Sequence, residues 1–289
     1  MTSVTDDEFK GIDICSANFH FMHIAGYIAS ALIGISLGLI GGGGSILTVP
    51  VLVYLFGLSP LLATSYSLFV VGSTSLVGAV NNLRKGFVSL KTVGIFGVSS
   101  VFIVFITRKI ILPLIPTYLF KIGQIEVTES LLTMIFFALL MVFAAISMIR
   151  NEQKDTMDRV EEKELHVHKL LSYGVMIGLL TGLLGAGGGF LLIPVLVLLV
   201  GLPMKEAIGT SLLIISLNSL IGFTGDLGHF HMDWGFLSAV TLIAIAGIVA
   251  GGLLSQKIPG YRLKKGFGWF VLAMGLCIFV REIFFKQFS

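Results

Sequence analysis

The sequence predicts an all-α integral membrane protein made of two inverted repeats. Each repeat is a glycine-broken helical hairpin followed by three transmembrane helices, about 8–10 membrane segments in all. Three observations carry this reading: composition, an internal repeat and the distribution of positive charge. Of 289 residues, 55% are hydrophobic and 12% charged, and the mean hydropathy is +0.99. A soluble domain is about 25% charged. No Asp, Glu, Lys or Arg occurs between Asp13 and Arg84, and further charge-free stretches run 92–107, 130–149, 170–204, 207–225, 234–256 and 266–280. Apolar runs of about 17–25 residues fit a helix to the hydrocarbon core, whereas barrel strands are short and alternating. Soluble enzymes, nucleic-acid binders and secreted domains are excluded. The start of the chain, 1–10, is acidic and does not read as a cleavable signal. Cys15 and Cys277 are far apart and set no metal-ligand spacing.

The repeat has an offset of 144. Residues 38–90 align without a gap to 182–234 with 20 of 53 positions identical. Matched positions include Pro50 with Pro194, Gly57 with Gly201, Ser67 with Ser211 and Ser75 with Ser219. Leu and Val recur by composition in any two apolar segments, but a glycine cluster with Pro in register does not. The chain therefore divides into an N-terminal arm at 1–23, a first transmembrane repeat at 24–149, a charged linker at 150–169 and a second repeat at 170–289.

Within each repeat, an apolar stretch (24–40 or 170–184) runs into a glycine cluster and a second stretch follows (45–57 or 189–201). Both are short for upright spans at about 1.5 Å per residue, and clustered glycines interrupt helices. Fuller spans are expected near 61–83, 92–112 and 130–149, then near 206–225, 235–256 and 267–285. If each broken pair returns the chain to its starting side, 13 of the 19 Lys and Arg fall on one side. Read as single long spans, the split is 11 to 8. The positive-inside rule selects the hairpins and puts both termini outside the cytoplasm of a cell-membrane protein. Each repeat then crosses the membrane, so the second starts on the opposite side.

The glycine clusters Gly41-Gly42-Gly43-Gly44-Ser45 and Gly185-Ala186-Gly187-Gly188-Gly189 suggest anion binding. A helix resuming after such a break offers unpaired N–H groups and the positive end of its dipole. Small residues also let membrane helices pack closely, and that alternative stays open. Thr64 and Ser65, with Thr210, Ser211 and Asn218 in the partner span, are candidate side-chain donors. No acid is expected deep in a span; Asp226 and Asp233 read as membrane-edge residues, which argues against a cation substrate. Arg84 and Lys85 are candidate entrance charges, or simply positive-inside anchors. Asp226 and His229 are candidate entrance or coupling groups. His229 and His231 form a weak metal signal, and no metal or cofactor is assigned. No Walker-type motif is present.

These residues resemble the sulfite exporter TauE/SafE family of membrane transporters. The resemblance rests on the glycine break followed by Pro in both halves (41–50 and 185–194), on Ala207-Ile-Gly-Thr-Ser-Leu and Met232-Asp-Trp, and on Ala246-Gly-Ile-Val-Ala-Gly-Gly-Leu-Leu-Ser with Pro259 and Arg262-Leu-Lys-Lys behind it. It implies a non-enzymatic secondary transporter of a small sulfur-containing anion: sulfite, a sulfonate, sulfoacetate or thiosulfate. Coupling to a proton and the oligomeric state stay open, and the lipid bilayer is the other partner. The first half departs from the pattern with Ser89-Leu90 in place of Asp233-Trp234, and with its Thr64-Ser65 pair displaced relative to Thr210-Ser211. A passive anion channel of the same fold, a membrane enzyme using His229 and His231, and a sensory protein without flux are the rival readings.

Overall fold

A computed structural model describes residues 25–42, 44–114, 118–122, 125–150, 167–185, 188–228, 232–254 and 260–280. The first half comprises α1 (Ala25–Ile40), α2 (Ser45–Tyr54), α3 (Pro60–Arg84), α4 (Leu90–Leu114) and α5 (Glu129–Arg150). The second comprises α6 (Val167–Leu184), α7 (Gly189–Pro194, continued by a π-helical stretch Val195–Val200), α8 (Met204–Asp226), α9 (Trp234–Leu254) and α10 (Gly260–Val280). Four of these, α3, α4, α8 and α9, are long and apolar enough to cross a membrane, and shorter apolar helices accompany them. Both glycine clusters interrupt the helices as expected. A β-hairpin, β1 (Tyr118–Ile122) and β2 (Ile125–Thr128), lies between α4 and α5. Its aromatic and β-branched residues suit a strand better than a helix.

The offset of 144 governs the backbone as well as the sequence. The helix starts Ser45, Pro60 and Leu90 recur as Gly189, Met204 and Trp234. Gly41 and Gly185 are equivalent, and both hold a left-handed φ, 85° and 65°. A side chain there would be strained, so glycine is what lets α1 and α6 end abruptly at the same point. The turn hydrogen bond Gly41 N–H to Leu37 O recurs as Gly185 N–H to Thr181 O, and Leu58 N–H to Leu52 O as Leu202 N–H to Leu196 O.

Contacts between the halves are reciprocal. A methyl group at Gly34 of α1 would strike Ala244 O of α9; at Gly178 of α6 it would strike Ser100 O of α4. These are the same contact with the halves exchanged. Gly174, Gly178 and Gly182 form a flat stripe along α6 on which Phe96, Ser100 and Thr107 rest. At the centre α3 and α8 run antiparallel, since Gly72 meets Leu220 and Gly78 meets Leu212. The two breaks touch backbone to backbone at Gly42 and Gly189.

The outward faces are apolar. Val98 and Phe102 on α4 are exposed, as are Leu242 and Val249 on α9, which suits contact with lipid acyl chains. The interior is unusually hydroxyl-rich: Thr64, Ser65, Ser67, Thr74 and Ser75 of α3 and Thr210, Ser211, Ser216, Asn218 and Ser219 of α8 are all buried. Many of these spend their hydroxyl on a carbonyl of their own helix, as Thr74 does on Val70 O at 2.6 Å.

Candidate functional site

The seam between α4 and α8 is polar at three levels. Ser89, just before α4, donates its N–H to Thr210 Oγ1 at 2.9 Å; Ser100 Oγ donates to Asn218 Oδ1 at 2.7 Å; Arg108 Nη1 donates to Asp226 Oδ2 at 2.9 Å. The sequence separations, 121, 118 and 118, show that the two helices run parallel in nearly constant register. The equivalent seam, α3 with α9, repeats the first of these levels. There Asp233 donates its N–H to Tyr66 Oη at 2.6 Å. The positions equivalent to Ser100 and Asn218 are Ala244 and Thr74, and those equivalent to Arg108 and Asp226 are Gly252 and Asn82. Two repeats of one pattern thus carry a charged site on one side only.

That site adds to the sequence reading. Asp226, the last residue of α8, is buried inside the protein, 2% exposed, and pairs with an Arg108 that is 1% exposed. Arg108 had no role in the sequence reading. The charge-free stretch ends at 107, but α4 continues seven residues past Arg108's nearest such boundary, through Ile110, Ile111 and Leu112 to Leu114. Arg108 lies in a π-helical turn, Thr107–Ile111. Helix α9 has no such turn among its described residues, and π turns inside helices recur at functional sites.

Around the pair, Ser65 Oγ donates to Asp226 Oδ2, and Thr64 Oγ1 accepts from Arg108 Nη1 at 3.2 Å while donating to Leu61 O. Gly222 and Gly225 let α4 approach α8 here, with Arg108 Cβ directly over Gly225. Gly185 closes the far side, where a methyl group would fall on Arg108 Nη2 and on Thr64. Among the described residues Arg108 Nε and Nη2 have no hydrogen-bond partner. An unpaired buried N–H is costly, and two of them on one edge of a guanidinium are the geometry that takes a bidentate oxyanion.

The structure therefore gathers Thr64, Ser65, Gly185 and Asp226 with Arg108. Gly42 and Gly189 meet each other at the crossing of the breaks. Gly41 packs on Ile208, Gly44 on Ile33 and Leu37, and Gly188, with a φ of 64°, on Thr181. Ser45 Oγ donates to Gly42 O and Ser211 Oγ to Ile208 O. In this conformation the space beside these described glycines is filled by protein. Arg84 and Lys85 are exposed at the opposite end of α3. Gly43, Gly187, His229 and His231 lie outside the described residues. No group of three or more metal-ligating side chains occurs among the described residues.

Comparison with known proteins adds the family. The chain is 28% identical over 260 residues to a "Probable membrane transporter protein" of Xylella fastidiosa (strain 9a5c), an alignment covering 88% of this chain and 94% of that one. A protein of the same name from Haemophilus influenzae is 29% identical over 279 residues, covering 88% and 97%. A further one, from Methanocaldococcus jannaschii, is 24% identical over 265 residues, covering 86% and 92%. No solved structure matches the chain. The family model described as Sulfite exporter TauE/SafE matches residues 27–278, which takes in both glycine breaks and the Arg108–Asp226 site, and this multi-pass membrane protein belongs to that family.

Proposed function

We propose that the protein is a secondary transporter that carries a small sulfur-containing anion (sulfite, a sulfonate, sulfoacetate or thiosulfate) across the cell membrane. The observation that carries this reading is the buried Arg108, whose Nη2 lies against Gly185 and whose Nε and Nη2 have no hydrogen-bond partner among the described residues. The anion's oxygens take that edge, with the Thr64 and Ser65 hydroxyls beside it. Charge inside a membrane span is costly and marks a pathway or a counter-ion. Here Arg108 is paired with Asp226 through Nη1, and its other edge suits an anionic cargo. Two halves in inverted topology rock about the contact of their breaks, as in other transporters of repeated architecture. Support for inversion comes from the antiparallel packing of α3 and α8 and from the exchanged α1–α9 and α6–α4 contacts. The 41–45 break, Gly187–Gly189, Thr210, Ser211 and Asn218 line the route that opens as the halves move. Both termini lie outside the cytoplasm, and the linker at 150–169 inside.

The test is uptake of radiolabelled sulfite and thiosulfate into proteoliposomes, with and without a pH gradient, for the wild type and for Arg108→Gln. Accumulation above the external concentration by the wild type alone is expected. Equilibration without accumulation would make the protein a channel. Undiminished uptake by Arg108→Gln would remove the site from the pathway.

A further inference from the structure

We propose that Asp226 holds the place of the transported anion on Arg108, that the arriving anion displaces it, and that the released carboxylate takes a proton from solvent, so that one proton travels with each anion. This rests on the anion-transport reading above and deepens it by naming the coupling group. The donors around Asp226 Oδ2 are a guanidinium N–H and the Ser65 hydroxyl. A sulfite or sulfonate oxygen asks for the same donors, so the carboxylate is a tethered stand-in for the cargo.

The order of events follows from the two edges of Arg108. The Nη1 edge is occupied by Asp226 and Thr64, while the buried Nε–Nη2 edge has no hydrogen-bond partner among the described residues. An anion reaching that unpartnered edge leaves one buried cation facing two anions. A net buried negative charge is expensive, and a second cation is not at hand. On α4, Lys109 is turned outward with its Nζ 5.4 Å from the Phe105 ring centre. On α3, Tyr66 receives the Asp233 N–H, and the Asp233 carboxylate caps Phe236 N–H at the exposed start of α9. The remaining charged or titratable residues of these helices and of α6, namely Arg84, Lys91, Lys205, Glu206, His168, Lys169 and Tyr173, sit at their opposite ends. His229 and His231 belong to the α8–α9 loop outside the described residues. A proton on Asp226 is therefore the charge-reducing step these helices offer: it removes the whole excess for a singly charged sulfonate and half of it for doubly charged thiosulfate. Asp226 is also placed to move: it is the last residue of α8, followed by extended Leu227 and by Gly228 with a φ of 95°.

The linkage gives the sign. Anion binding that takes up a proton weakens as pH rises, by about tenfold per pH unit for one proton. The experiment uses thiosulfate, which stays fully ionised near neutral pH and does not itself buffer. Adding it to lightly buffered, purified wild-type protein should consume about one proton per bound anion, and its affinity should fall as pH rises. Asp226→Asn should bind thiosulfate about tenfold more tightly near neutral pH, with no proton uptake and a flat pH profile. Wild-type binding without proton uptake overturns the proposal even if the variant does not fold. So does an Asp226→Asn protein that still takes up a proton. Failure of the wild type to bind or transport thiosulfate, sulfite and sulfoacetate overturns the anion-transport reading itself, and this inference with it.

Discussion

Gly185 lies against the guanidinium of Arg108, while its equivalent in the other half, Gly41, lies against the aliphatic side chain of Ile208. Both glycines have positive φ and both end a helix. The same backbone device is thus used twice, once under a charge and once under a hydrocarbon. The two substitutions to alanine separate the backbone role from the site role. A left-handed alanine costs about 1–2 kcal/mol, so Gly41→Ala and Gly185→Ala should both lower the unfolding temperature in detergent. Only Gly185→Ala should, in addition, cut thiosulfate affinity or uptake by about tenfold or more, because its methyl group displaces Arg108 Nη2. Equal transport losses in the two variants would show that the break acts through stability alone.

The Arg108–Asp226 pair should serve function more than stability. Removing one partner strands a buried charge and typically costs about 3–5 kcal/mol, whereas replacing both by apolar residues is often neutral or stabilising. Asp226→Ala should therefore unfold at markedly lower temperature than the wild type. The double variant Arg108→Met, Asp226→Leu should recover most of that loss and show no thiosulfate uptake. A double variant that is stable and still transports would reduce the pair to a packing feature.

Helix boundaries were legible in the sequence because membrane insertion writes them in charge. The expected span 61–83 is Pro60–Arg84, and 130–149 is Glu129–Arg150. The breaks were legible because clustered glycines cannot hold a helix, and the repeat because Gly41, Pro50 and Gly57 recur together. The charged site was not legible. Arg108 and Asp226 are 118 residues apart, and no pattern in the sequence pairs them. The expected span 92–112 already encloses Arg108 and the apolar Ile110-Ile111-Leu112 beyond it, which is the available signal that a charge lies within a helix. Which hydroxyls face the site and which satisfy their own helix was also hidden. Thr64 and Ser211 both bond a carbonyl three residues back, yet only Thr64 touches a charge.

The repeat makes a paired prediction at the other end of the two seams. Tyr66 Oη and Thr210 Oγ1 are equivalent hydroxyls, each accepting the N–H that precedes a long helix, from Asp233 and Ser89. Tyr66→Phe and Thr210→Val each remove that acceptor. Both should cost about 1–3 kcal/mol if the N–H is left without a partner, and the two losses should be similar when unfolding is followed by the same probe. A large loss at one and none at the other would mean that the equivalent contacts do not bear equal load.

Orientation in the membrane can be checked from the ends of the antiparallel pair α3 and α8. Arg84 and Lys85 are exposed at the C-terminal end of α3, and Leu227 is exposed just after α8. These positions lie at opposite ends of the bundle. In the proposed orientation the Arg84–Lys85 end faces the cytoplasm and the Arg108–Asp226 site lies nearer the outer surface. In a background with Cys15 and Cys277 replaced, Leu227→Cys should react with a membrane-impermeant maleimide added to intact cells. Lys85→Cys should react only after the cells are opened. The reverse pattern would invert the topology, and with it the side on which an anion first meets Arg108. Labelling of both positions from outside would show that the broken pairs do not return the chain to its starting side.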